Sequence, residues 1–175
     1  CLSRGLGDVY KRQSLHHMEN ARQAVQFSYQ ILKENGYLYC NDYVGASRFQ
    51  RTDMEMAIVN GIRLYLPDEI FVKPGGGEYQ RFYVGPTVEQ IINMDPSEAA
   101  DSENIIPAIK ENFIHADIRY AGGLIYLVCM EDIIHNITED DPLLGYLLEL
   151  DDQTIKFGLS QSVSYTHLRA HETGR

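Results

Sequence analysis

Two short clusters in the 175-residue sequence carry side chains that can hold or move a proton: Ser14-Leu15-His16-His17 and Asn41-Asp42-Tyr43. An imidazole titrates close to neutrality, so small changes in its surroundings decide its charge. A carboxylate and a phenol beside a neutral imidazole can orient an acceptor group and take its proton. Asp42 and His17 are therefore the candidate catalytic residues. Each also has a plainer reading: His17 can cap the start of a following helix, and Asp42 can satisfy backbone donors of the turn it enters. No metal is expected at His16-His17, because adjacent side chains point in different directions and no third ligand stands at metal-site spacing. Gly75-Gly76-Gly77 is not a phosphate loop, since it does not join a strand to a helix and no Lys-Ser/Thr follows.

The elements that must position these clusters read clearly. From Glu19 to Glu34 the residues Ala21, Ala24, Val25, Ser28, Ile31 and Leu32 line one face of a helix. Asn35-Gly36 supplies a left-handed stop. Tyr37–Cys40 then forms a buried strand that delivers Asn41, Asp42 and Tyr43 at its end. Helix, tight turn and apolar strand make half of a crossover unit in a parallel sheet. Thr52, with Glu55 three residues on, opens a second helix that Pro67 closes. Residues 68–86 form a long loop, of a length often used as a lid or binding segment. Helices begin near Thr87 and Ser102. Phe113–Tyr120 and Leu124–Met130 read as two strands of an antiparallel hairpin around Ala121-Gly122-Gly123. Tyr120 and Tyr126 pack on it. The acidic run Glu139-Asp140-Asp141 starts a last helix, Pro142–Phe157, where its charge suits the helix dipole.

The two ends are related to each other in an unexpected way. A DNA sequence that encodes Val163–Thr173 has a reverse complement that encodes Ser3–Arg12, one base out of frame. Two unrelated protein segments do not show that relation by chance, and the DNA looks like a sequencing-library adapter. Residues 1–13 and 163–175 are thus expected to be translated adapter, with a native insert at 14–162. Of the chain's 15 basic and 25 acidic residues, five basic (Arg4, Lys11, Arg12, Arg169, Arg175) and two acidic (Asp8, Glu172) fall in those ends. The insert keeps 10 and 23, a net charge of −13, which argues against a nucleic-acid partner. No apolar run approaches the roughly 20 residues that span a bilayer. Cys1, Cys40 and Cys129 form no ligand or redox pattern, Cys40 and Cys129 sit in apolar runs, and a reducing, cytoplasmic setting is the default expectation.

Ordered segments of the insert resemble class I S-adenosylmethionine-dependent methyltransferases. Ser14-Leu-His-His-Met-Glu-Asn20 is similar to the turn after that family's fourth strand, and Ile31-Leu-Lys-Glu-Asn-Gly-Tyr-Leu38 to the turn before its fifth. Asn41-Asp-Tyr-Val-Gly-Ala-Ser-Arg-Phe-Gln50 resembles a segment of a narrower subgroup. So do Asp95-Pro-Ser-Glu-Ala99 with Ser102, Tyr120-Ala-Gly-Gly123 and Ile133-Ile-His-Asn136. Asp42 stands where the subgroup usually has Glu, and Asn35 where the family has Gly.

The resemblance implies an α/β fold: the C-terminal half of a Rossmann-like class I methyltransferase sheet, with a helical insertion at 52–112 covering the substrate and a C-terminal antiparallel hairpin. It implies Leu15 and His16 as S-adenosyl-L-methionine contacts, and Tyr43, Arg48 and Gln50, with Asp42 and His17, as residues facing a small acceptor, a sugar-containing one among the candidates. The glycine-rich loop and the acidic ribose-binding residue of the family would lie upstream of Ser14, so a chain without them is expected to be inactive and to leave the strand at 37–44 short of a neighbour. Two other readings stay open: a non-catalytic methyltransferase-like binding domain, and a different α/β enzyme such as a dehydrogenase. A reversed strand at the end of the sheet favours the methyltransferase over the dehydrogenase.

Overall fold

Helix α1 (Ala21–Ile31) begins where the Asn20 side chain accepts a hydrogen bond from the Gln23 amide, a polar cap that satisfies one of the four free donors of a helix start. It buries Ala21, Val25 and Ser28, the positions of one helical face. The helix closes at Ile31, three residues before the expected end at Glu34, and the chain passes directly into β2 (Leu32–Tyr43). The expected left-handed residue is present inside this strand: Asn35 has φ 63°. There the pairing skips from Leu6 opposite Leu32 to Asp8 opposite Tyr37. A polar Lys33–Gly36 bulge thus replaces the separate turn read from the sequence.

The computed structural model describes residues 6–12, 14–160 and 165–171. It divides into two compact units, one made of residues 1–50, 86–121 and 164–175 and the other of 51–85 and 122–163. In the first, β1 (Leu6–Arg12), β2, β3 (His115–Ala121) and β4 (Tyr165–His171) form a sheet in the order β1-β2-β4-β3. β1 runs parallel to β2, while β4 is antiparallel to both β2 and β3. The strand at 37–44 therefore has a neighbour on each side, contrary to expectation. Both neighbours come from the terminal segments read as adapter; residues 1–5, 13, 161–164 and 172–175, which include Cys1, lie outside the described residues. Against the sheet, Leu15, Val25, Leu38, Cys40, Ile105, Ile109 and Phe113 form the core, with α1 lying beside α4 (Ile105–Asn112). The rings of Tyr29 and Phe113 meet edge to face at 5.3 Å. α3 (Val88–Met94) belongs to this unit and starts at Thr87 with a reciprocal cap to Gln90. The stretch 52–112 read as one insertion is consequently shared between the two units.

The second unit opens with α2 (Asp53–Tyr65), where Thr52 and Glu55 form the anticipated capping box. Its core gathers Val59, Phe71, Leu124, Val128, Met130, Ile133 and Leu147. Through it runs Arg63, fully buried, which holds both carboxylate oxygens of Asp132 at 2.8 and 3.2 Å and donates to the carbonyls of Gln80, Arg81 and Cys129. A charge can be buried only when paired and fully hydrogen-bonded in this way. The long loop folds back on itself through a Val72–Glu78 bridge, and Gly75, Gly76 and Gly77 at its tip all have positive φ, which explains three glycines in a row.

The expected hairpin does not form. β3 is a strand, but Ile125–Cys129 is a single wide helical turn. The physical reason lies in the last helix, α5 (Pro142–Lys156), whose buried Asp151 accepts hydrogen bonds from the amides of Gly123, Ile125 and Tyr126 at 2.7, 2.8 and 3.0 Å. That carboxylate satisfies the open donors of a helix start. A short, continuously apolar run is compatible with either a strand or a buried helical turn, so the choice fell to this partner. Gly123 is required by packing, since a Cβ there would stand 2.9 Å from both Asp151 and Ile155.

Two outcomes follow. Asp151→Ala strands three amides, two of them buried, and should lower stability by about 2–4 kcal/mol in urea titration; an unchanged midpoint would show that the turn does not depend on it. A chain reduced to residues 14–162 removes β1 and β4 and exposes both edges of β2. It should associate on size-exclusion chromatography, and a monomer with a sharp melt would refute the need for those strands.

Candidate functional site

β2 ends at the carboxyl edge of the sheet, where open α/β folds bind ligands. It delivers Asp42 there, but points the carboxylate inward, with no exposed surface. Oδ2 accepts from the amides of Ser14 and Leu15, both at 2.8 Å, and Oδ1 from the Tyr43 amide at 3.0 Å and from His16 Nδ1. Burial alone would raise the Asp42 pKa. The hydrogen bonds from His16, Leu15 and Ser14, with the imidazole's charge, outweigh it and hold the carboxyl below its ordinary value. The same balance acts in reverse on His16: burial works to lower its pKa, and the bond to Asp42 with the negative charges of Asp42, Glu98 and Asp95 raises it.

A third segment, 95–101, closes over the two histidines. His16 accepts the Ala100 amide on its carbonyl at 3.1 Å, and Asp101 accepts the Ala21 amide at 2.8 Å. His17 Nδ1 lies 3.0 Å from Ser97 Oγ, which donates to Asp95 Oδ1 at 2.7 Å. Glu98 faces both rings, with Oε1 3.4 Å from His16 Nε2 and Oε2 3.9 Å from His17 Nε2. The expectation that neighbouring histidines diverge is not met, because the two ring centroids are 4.1 Å apart. The turn across Leu15–Met18 brings them round to the same partner.

The residues expected to face an acceptor mainly brace this arrangement. Arg48, at φ 57°, donates from Nη1 to the carbonyls of Pro96 and Glu98 at 2.7 and 2.9 Å, and its amide donates to Ala99 at 2.7 Å. Gln50 donates to the carbonyls of Arg48 and Pro86 at 2.7 and 3.3 Å. Tyr43 is buried and its hydroxyl donates to the Ala46 carbonyl at 3.0 Å. Leu15 is wholly inside the first unit's core and presents no side-chain surface to a ligand. His17 and Glu98 remain accessible, with side chains 34% and 27% exposed. Sequence reasoning missed Asp95, Ser97 and Glu98 as partners of the histidines; the Asp95–Ala99 motif marked the segment without saying where it folds.

No protein-family model matches this sequence, and no curated protein matches it. Solved structures similar to it include phosphoethanolamine N-methyltransferase 2 of Haemonchus contortus with phosphomonomethylethanolamine and S-adenosylhomocysteine, at 14% identity and a TM-score of 0.39, covering 98% of this chain and 34% of that one. The same enzyme with S-adenosyl-L-methionine gives 14% identity and a TM-score of 0.40, over 97% of this chain and 34% of that one. The (4+2)-cyclase SpnF gives 12% identity and a TM-score of 0.34, over 98% and 52%. The chain thus spans a minor part of the length of the methyltransferase it matches. Among the described residues, no helix is long and apolar enough to cross a membrane.

The coupled pair predicts a pH profile of stability. His16, its pKa raised above 6.5, contributes fully below that value and loses the contribution as pH rises through its folded-state pKa. Asp42, its pKa lowered below 3.8, contributes fully above that value and loses it as pH falls through its folded-state pKa. The parent chain should show an alkaline-side decline in thermal melts above pH 6.5, and His16→Gln should lose it. A decline retained by the variant would assign it elsewhere.

Proposed function

We propose that the chain carries the C-terminal part of an S-adenosyl-L-methionine-dependent methyltransferase acting on an oxygen or nitrogen of a small acceptor. The observation that carries this reading is a convergence. Three segments that each resemble the family, Ser14–Asn20, Asn41–Gln50 and Asp95–Ala99, lie far apart in sequence and meet at the carboxyl end of β2, tied by Asp42, His16, His17 and Arg48.

Cofactor fit is partial. The turn at 14–17 stands at the edge where a cofactor would lie, but Leu15 is turned into the core, and the family's glycine-rich loop and acidic ribose-binding residue have no counterpart in these 175 residues. When bound, the cofactor supplies an already activated methyl group, so the protein contributes mainly alignment and exclusion of water. Asp42 acts as a positioning residue: it fixes the 14–17 turn and holds a proton on His16 Nδ1, and its saturated, low-pKa carboxylate is unsuited to take a proton from an acceptor. An acceptor that must lose a proton meets instead the exposed face of His17 and Glu98. The acceptor class is a small metabolite, with a sugar-containing one among those the resemblance suggests.

Extending the gene upstream should reveal a glycine-rich turn after a strand, and the extended protein should bind S-adenosyl-L-methionine in calorimetry; neither appearing would defeat the reading in favour of a non-catalytic domain. In that protein, Glu98→Gln should lower turnover more than it raises KM for the acceptor. A change confined to KM would leave Glu98 a binding residue only.

A further inference from the structure

We infer that His16, His17 and Glu98 form a binding site for a divalent first-row transition metal of the zinc type. One ligand atom from each lies within 4.8 Å of the others. The hydrogen bonds behind the rings fix which nitrogen is free. The ionised Asp42 carboxylate faces His16 Nδ1, so that nitrogen carries the hydrogen. The only hydrogen on Ser97 Oγ points to Asp95, so Ser97 can only accept, and His17 Nδ1 must also be the protonated nitrogen. Both Nε2 lone pairs are then turned toward the Glu98 carboxylate. Three electron-pair donors converge without a hydrogen among them, an arrangement that a cation completes.

The separation suits such an ion. His16 Nε2 and Glu98 Oε1 are 3.4 Å apart, and two ligands at bonds of about 2.0 Å in tetrahedral geometry stand roughly 3.3 Å apart. His17 Nε2 at 3.9 Å from Oε2 needs only a small rotation of a half-exposed side chain. Carboxylate or hydroxyl support behind each ligating histidine is the usual outer shell of a metal site, and Asp42 and Ser97 supply it. Two imidazoles and one carboxylate leave a position open for water or a ligand oxygen. Metal uptake should weaken as the pH falls, because protons and the ion compete for the same imidazole lone pairs. The inference does not rest on the methyltransferase reading, since it needs no cofactor and no turnover.

Cobalt(II) titration of the chelator-stripped 175-residue chain tests it, followed by visible absorption and by the imidazole resonances of His16 and His17. One equivalent should bind with visible bands of low coordination number, and zinc should displace it. Glu98→Gln and Ser97→Ala, both in an accessible loop, should keep the far-ultraviolet spectrum and melting temperature of the metal-free parent, and each should weaken cobalt binding by about tenfold or more. Absence of a saturable single equivalent in the parent would overturn the inference. So would uptake that Glu98→Gln leaves unchanged, which would place the ion on other histidines.

Discussion

The buried carboxylate of Asp42 is the interaction on which the first unit depends. It sits on the penultimate residue of β2 and takes hydrogen bonds from the backbone of Ser14, Leu15 and Tyr43 and from the ring of His16. A negative charge away from water is tolerable only when such donors surround it. The consequence is geometric. A turn that precedes α1 and a strand that follows it are held together at the carboxyl end of β2, with the Ser14 and Leu15 amides directed onto one carboxylate oxygen. Every later feature of the site inherits its position from that lock.

The 95–101 segment completes what Asp42 begins. Arg48 holds the carbonyls of Pro96 and Glu98, and this turns the Glu98 side chain toward the two histidines. The charge balance there is heavily negative: Asp42, Asp95 and Glu98 surround two rings that are neutral unless protonated. The Arg48 guanidinium is committed to backbone carbonyls and braces the loop, and its charge reaches Asp95 of the carboxylates beside the rings. Such a site attracts a positive charge, whether a proton, a metal ion or a cationic ligand group. A sulfonium cofactor or a cationic acceptor would meet the same field.

The second unit solves a comparable problem with two buried charges of its own. Arg63 ties the α2 helix to the 80–81 and 129–132 stretches, and the rings and carbonyls around it leave none of its donors idle. Asp151 organises the start of a helical turn from α5, about one turn before that helix ends. Arg63 follows Ile62, and Asp151 follows Leu150, so each stands beside an apolar residue that faces the core.

Much was legible from the residues alone. Helical periodicity, with the Thr52 capping box, placed α1, α2, α3 and α5 to within a few residues, because such signals are local; the caps observed at Asn20, Thr52, Thr87 and Asp141, with Asn20 rather than His17 capping α1, each satisfy donors two or three residues away. The apolar run at 37–40 identified the central strand, and Asp42 stood out as a carboxylate at its end. The sequence could not say that this carboxylate turns inward, that Glu98 reaches two histidines some eighty residues earlier, or that Ile125–Cys129 coils instead of extending. Each of those outcomes depends on a partner distant in sequence: the Ser14 and Leu15 amides, the Arg48 brace and Asp151. Local preference chooses where an element starts and stops. Where a buried polar group finds its hydrogen bonds is decided only when the whole chain has folded around it, and that choice set both the site and the coiling of Ile125–Cys129.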